Sequence, residues 1–223
     1  MRWNRNKTHA FVIVALLLLI QSCTIFRTHI DTACASQFAN QYTSPKKSRF
    51  VLPWKVGESY TLTQGNCTME SHNLAEKQHM SFDFKMPVGT PIVAIDDGRI
   101  VLVTENFKDN KDNESFQSNF IGIEHEGGIL SWYGHLMFEG AIVKAGDKVL
   151  QGEVIGYSGN TGNSAYPHLH LYAQQITEDC FDAENSAVKL ELCPPIPISF
   201  KNANPSQAIL TEFKTYTALP YES

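Results

Sequence analysis

Beyond residue 48, no stretch of this chain sustains the apolar period of an amphipathic helix. Short runs of β-branched and aromatic residues alternate with turn residues instead. They are YTLTQ (60–64), MSFDFKM (80–86), IVAI (92–95), RIVLVT (99–104), NFIGIEH (119–125), GGILSWYGHL (127–136) and IVKA (142–145). GDKVLQGEVIGYSG (146–159) follows, with glycines spaced around valines and isoleucines. Runs this short, broken by Gly, Pro and Asp, read as strands joined by tight turns. The expected fold is all-β: a compact antiparallel sheet or β-sandwich over residues 49–203, with long surface loops. ENFKDNKDNESFQS (105–118) has no apolar period and is expected as one of those loops. Residues 204–223 are weakly patterned and read as a C-terminal tail.

The first residues belong to a different kind of segment. Arg2, Arg5 and Lys7 precede the uninterrupted apolar block FVIVALLLLI (11–20). That order reads as an export signal over residues 1–22. The block is short for a spanning helix, which needs about 20 apolar residues. It ends in IQSC, so Cys23 is the expected lipidated first residue of a mature lipoprotein, anchored to a membrane in the cell envelope. Secretion with cleavage near ACAS (33–36) and an uncleaved anchor are the alternatives. Residues 23–48 are polar and read as a linker. Export permits disulfides. Cys180 and Cys193 flank a polar insert and are the expected local pair, leaving Cys34 with Cys67. The net charge of -5, with no dense Lys/Arg stripe, argues against a nucleic-acid partner.

Six of the eight histidines fall between residues 72 and 170. In PHLHL (167–171), strand alternation puts His168 and His170 on one face and Leu169 and Leu171 on the other. Catalytic zinc takes three ligands from His, Asp or Glu and keeps one position for water. An unligated histidine beside it can exchange protons near neutral pH. His79, Asp83, His135, His168 and His170 are candidates for those roles. His125, at a strand end before Gly127-Gly128, reads as structural.

SFDFKMPVGTPIVAIDDGRIV (81–101), YGHL (133–136), VKAGDKVLQGEVIGYSGNTGNS (143–164) and PHLHL together resemble the LytM/lysostaphin-type zinc peptidases. The resemblance implies a barrel-sandwich hybrid fold and a zinc-dependent endopeptidase acting on bacterial peptidoglycan. It makes Asp83 and His170 zinc ligands, and His135 and His168 the unligated catalytic pair. For the third ligand, His79 satisfies an H-x-x-x-D spacing. His72, at the end of QGNCTMESH (64–72), satisfies the pattern of one branch of the family. In a straight strand His79 and Asp83 would stand roughly 13 Å apart, so His79 requires a bend. Both stay open. The alternative function is a catalytically silent module of the same type that binds or activates other wall hydrolases.

Overall fold

The computed structural model describes residues 30–68, 70–75, 78–109, 117–182 and 187–222. The signal segment and Cys23 lie outside the described residues, as does half of the polar loop, 110–116. Fifteen strands are present among the described residues. They are β1 Ser59–Gln64, β2 Phe82–Lys85, β3 Pro91–Val93, β4 Gly98–Thr104, β5 Phe120–His125, β6 Ile129–Gly134, β7 Leu136–Ala141 and β8 Lys148–Val149. The rest are β9 Val154–Ser158, β10 His168–Gln175, β11 Phe181–Asp182, β12 Ala187–Val188, β13 Pro195–Ile196, β14 Ala203–Asn204 and β15 Thr215–Ala218. One large sheet runs β14-β15-β1-β2-β10-β6-β5-β4-β8, with β13 also paired to β10. A small sheet, β3-β9-β7, and the hairpin β11-β12 complete the set, and every strand pair is antiparallel. The fold is an all-β sandwich. Among the described residues no helix is long and apolar enough to cross a membrane.

The core follows from strand alternation. Phe82 and Phe84 on β2, Leu169 and Leu171 on β10, and Ile121 and Ile123 on β5 all point to the same side of the large sheet. Ile92, Leu136 and Ile155 of the small sheet close over them in one apolar cluster. The opposite face of β2, β10, β6 and β5 therefore receives Asp83, His170, Trp132 and Gly122. Gly122 is needed there because the Trp132 indole lies across it. A Cβ at residue 122 would sit 2.5 Å from Trp132 Cζ3.

Three segments depart from the sequence reading. IVKA is not a strand: β7 ends at Ala141, and the chain then turns through Lys144, whose N–H donates to the Asp147 carboxylate at 3.0 Å. Within residues 23–48, the described part carries α1, Thr32–Phe38, capped by Asp31, whose Oδ1 accepts from the N–H of Ala33 and Cys34. The structure pairs Cys34 with Cys67, and Cys180 with Cys193. In the tail, β15 alternates TYTA and buries Tyr216 and Ala218 while pairing with β1.

Replacing Gly122 by alanine forces the indole off its seat. We expect a loss of about 1–3 kcal/mol in unfolding free energy, read as a lower urea midpoint with an unchanged slope.

Candidate metal centre

Asp83 owes its position to its neighbours. Phe82 and Phe84 both enter the core, so the carboxylate between them must face the other way. β10 lies directly beside β2, with His170 opposite Asp83. The His170 Nδ1–H donates to Asp83 Oδ1 at 2.8 Å. The third member, His72, comes from the loop after β1. Its Nδ1 lies 3.0 Å from the carbonyl of Gly65, an acceptor only, so Nδ1 carries the proton. That bond turns Nε2 toward Asp83 Oδ1, 3.4 Å away. Gln64, with its amide oriented to satisfy its neighbours, accepts from the backbone N–H of Ser71 and of His72 at 3.1 Å each.

The ligand atoms of His72, Asp83 and His170 all lie within 4.8 Å of one another, and all three residues are buried. Among the described residues, His72 Nε2 and His170 Nε2 have no hydrogen-bond partner. A buried polar atom left in that state costs about 1–3 kcal/mol. Two imidazoles and a carboxylate are the donor set that zinc favours, so the residues fit a zinc ion on their chemistry and on those unpaired nitrogens. Charge points the same way. Burial pushes the Asp83 carboxyl up, but the His170 hydrogen bond and the neighbouring His72 imidazole outweigh that and hold it well below the usual carboxylate range. Burial lowers His170, against the pull of Asp83. At neutral pH the site is thus a carboxylate with a neutral His170.

Two further imidazoles adjoin the triad. His168 Nδ1 donates to the Tyr166 carbonyl at 2.8 Å, with the Ser164 hydroxyl 3.1 Å from the same nitrogen. Its Nε2 stands 3.6 Å from Asp83 Oδ1. His135 follows the last residue of β6 with φ 58°, a left-handed turn that swings its ring back beside the sheet. Its Nδ1 donates to the Thr161 carbonyl at 2.7 Å. The ring centres of His135 and His168 are 4.6 Å apart. Burial, then the neighbouring His168 and His170, lower His135 to about 4. Both imidazoles border a cleft of about 780 Å³ whose walls include Trp132, Tyr166, Tyr172 and Leu190. Gln174 ties the insert to that wall. It accepts from the Trp132 indole N–H at 2.8 Å and donates to the carbonyls of Leu190 and Cys193.

His79 stands apart from this cluster. The chain turns between it and Asp83, with the Ser81 N–H bonded to the Gln78 carbonyl at 3.0 Å. The His79 ring packs on Phe38, 5.0 Å between centres. His125 is buried with both nitrogens occupied, one by the Asp97 carbonyl and one by the Ser131 hydroxyl, each at 2.7 Å. Sequence reading did not single out Thr161 and Ser164, which orient His135 and His168. Their signal is their place in GNTGNS (159–164).

Residues 77–182 match peptidase family M23. An uncharacterized metalloprotease of Buchnera aphidicola is 36% identical over 139 residues, 62% of this chain and 33% of that protein. Peptidoglycan DD-endopeptidase ShyA of Vibrio cholerae is 38% identical over 92 residues, 41% of this chain and 19% of its own length. Glycyl-glycine endopeptidase ALE-1 of Staphylococcus capitis is 41% identical over 99 residues, 42% of this chain and 24% of its own. The chain thus spans about a third or less of the length of these relatives.

The lowered His135 sets a pH dependence. An unfolded histidine takes up its proton near 6.5, whereas His135 in the fold waits until about 4. Between those values the unfolded state binds more protons, so stability falls as pH falls through that window. Urea unfolding of metal-free protein at pH 7 and pH 5 should show a smaller loss for His135→Gln than for the parent chain.

Proposed function

Residues 77–182 match peptidase family M23, and on that likeness we propose that the chain is a zinc metalloendopeptidase that hydrolyses peptide bonds in bacterial peptidoglycan. The observation that carries this reading is the buried His72–Asp83–His170 cluster with two unpaired imidazole nitrogens, open to a cleft beside His135 and His168. When bound, zinc supplies an activated water and a Lewis acid for the scissile carbonyl.

The chain's own residues do the rest. Asp83 contributes the negative charge that favours a divalent cation, and β2 and β10 fix it against His170. His135 and His168 each spend Nδ1–H on a backbone carbonyl. Each therefore presents an Nε2 lone pair, able to accept a proton from the attacking water. Once protonated, the imidazole donates a hydrogen bond to the developing oxyanion and then returns the proton to the leaving amine. Thr161 and Tyr166, through their carbonyls, hold the two rings in the tautomer this requires.

Two relatives named for wall hydrolysis carry different bond names, DD-endopeptidase and glycyl-glycine endopeptidase. Peptide hydrolysis in the wall is their shared chemistry and the one proposed here. We place the enzyme in the cell envelope, exported by residues 1–22 and tethered to a membrane through a lipid on Cys23. Two disulfides suit that oxidising location.

His72→Ala and His170→Ala should each abolish stoichiometric zinc. His135→Ala and His168→Ala should keep the metal while kcat/KM falls about 10²–10⁴-fold. The deciding experiment incubates the protein with purified peptidoglycan and analyses released fragments by mass. Soluble peptides with new amino termini, lost on adding a chelator, are expected. Protein that binds the wall and releases nothing would make it a catalytically silent module instead.

A further inference from the structure

Of the three clustered donors, His72 alone is not on a strand. Asp83 and His170 are fixed by the ladders of β2 and β10, whereas His72 rides on the loop that follows β1. Its direct supports are the Gly65 carbonyl and Gln64. The loop itself is anchored at Gly65, whose N–H donates to Glu212 Oε1 at 3.0 Å, and beyond that by the segment before the sandwich. Cys34, buried on α1, is bonded to Cys67, five residues before His72. The Asp31 N–H donates to the Cys67 carbonyl, and the Cys67 N–H to the His79 carbonyl, both at 2.7 Å. Asn66 Nδ2 donates to the Tyr42 hydroxyl at 2.8 Å, and Tyr42 also reaches Met80 Sδ at 3.6 Å. Phe38 covers the His79 ring. Cys34, Cys67 and Met80 form an apolar cluster separate from the main core.

This clasp has little else to keep it closed. Its apolar cluster, with Ala35, Phe38, Tyr42 and Leu74 packed against it, is small, and among the described residues Asn66 Oδ1, His79 Nδ1 and Ser81 Oγ are buried without hydrogen-bond partners. Unpaired buried polar atoms favour opening, since water would satisfy them. A covalent link between residues 33 apart opposes opening by restricting the open ensemble. The geometry points to a division of labour: two metal ligands are positioned by the sheet and the third by the cross-link.

We propose that the Cys34–Cys67 disulfide, supported by Tyr42, positions His72 for metal binding, so that zinc affinity depends on the clasp being closed. The proposal rests on the reading of His72, Asp83 and His170 as zinc ligands. Cys34, Cys67 and Tyr42 are positioning residues, none touching the metal or substrate.

The test is the zinc dissociation constant of the full chain, measured by competition with a chromogenic chelator, with serine replacements in place of thiol reductants, which themselves bind zinc. Cys34→Ser/Cys67→Ser should weaken binding about 10–100-fold, the range seen when groups that orient metal ligands are removed. Tyr42→Phe should weaken it in the same direction by less. Cys180→Ser/Cys193→Ser, which removes the other disulfide, should leave it unchanged, so that a general loss of stability is told apart from loss of a ligand. Circular dichroism and urea unfolding of the metal-free proteins check the fold. A folded Cys34→Ser/Cys67→Ser protein with parental affinity overturns the proposal. If that variant does not fold, parental affinity in Tyr42→Phe overturns it. Absence of zinc binding by the parent chain would instead remove the metal reading, and the clasp proposal with it.

Discussion

The Asp83 carboxylate is held against His170 across the two central strands of the large sheet, on a face largely closed to water. Burying a charge there is costly unless it is paired and hydrogen-bonded. The His170 hydrogen bond and the His72 imidazole beside it hold the carboxyl in its charged form, and the surrounding architecture keeps those partners in place. Phe82 and Phe84 commit their strand's opposite face to the core. Leu169 and Leu171 do the same for β10, so a one-residue slip of either strand would bury a charge or a histidine among aromatic rings. The register that packs the sandwich is the register that assembles the site.

Around that pair, the protein uses backbone carbonyls as its orienting groups. Gly65, Thr161 and Tyr166 each accept from a histidine Nδ1–H, and each thereby exposes an Nε2. This is an economical way to set tautomers, because a carbonyl can only accept. It also explains why the loops after β1 and β9 matter as much as the strands. The strands bring Asp83, His168 and His170 together, and the loops decide which nitrogen faces the cleft. Gln174 extends the same logic outward by joining the Trp132 indole to the disulfide-closed insert that forms one wall.

The parts legible in the sequence were those with period two. His168 and His170 against Leu169 and Leu171, and Asp83 between two phenylalanines, follow from strand alternation alone, and most strands fall where turn residues bound them. The pairing of β2 with β10 is separated by more than eighty residues of chain and leaves no local signal; the motif resemblance supplied it. His72 and His79 could not be separated by spacing, because the turn at residues 78–81 that carries His79 away from Asp83 has no distinctive residues. Helix α1 was equally hidden: TACASQF is too short for a helical period, and besides its Asp31 cap it is tied down by a disulfide partner far along the chain. β15 went unread because TYTA buries only two side chains.

The central claim is that His72, Asp83 and His170 hold one zinc ion while His79 does not. The measurement closest to it is anomalous diffraction at the zinc edge from crystals of the purified protein. One strong anomalous peak within bonding distance of an imidazole nitrogen from His72 and from His170 and a carboxylate oxygen of Asp83 is the expected result. A peak bonded to His79, or ordered side chains of all three residues with no peak among them in protein grown with excess zinc, would contradict it.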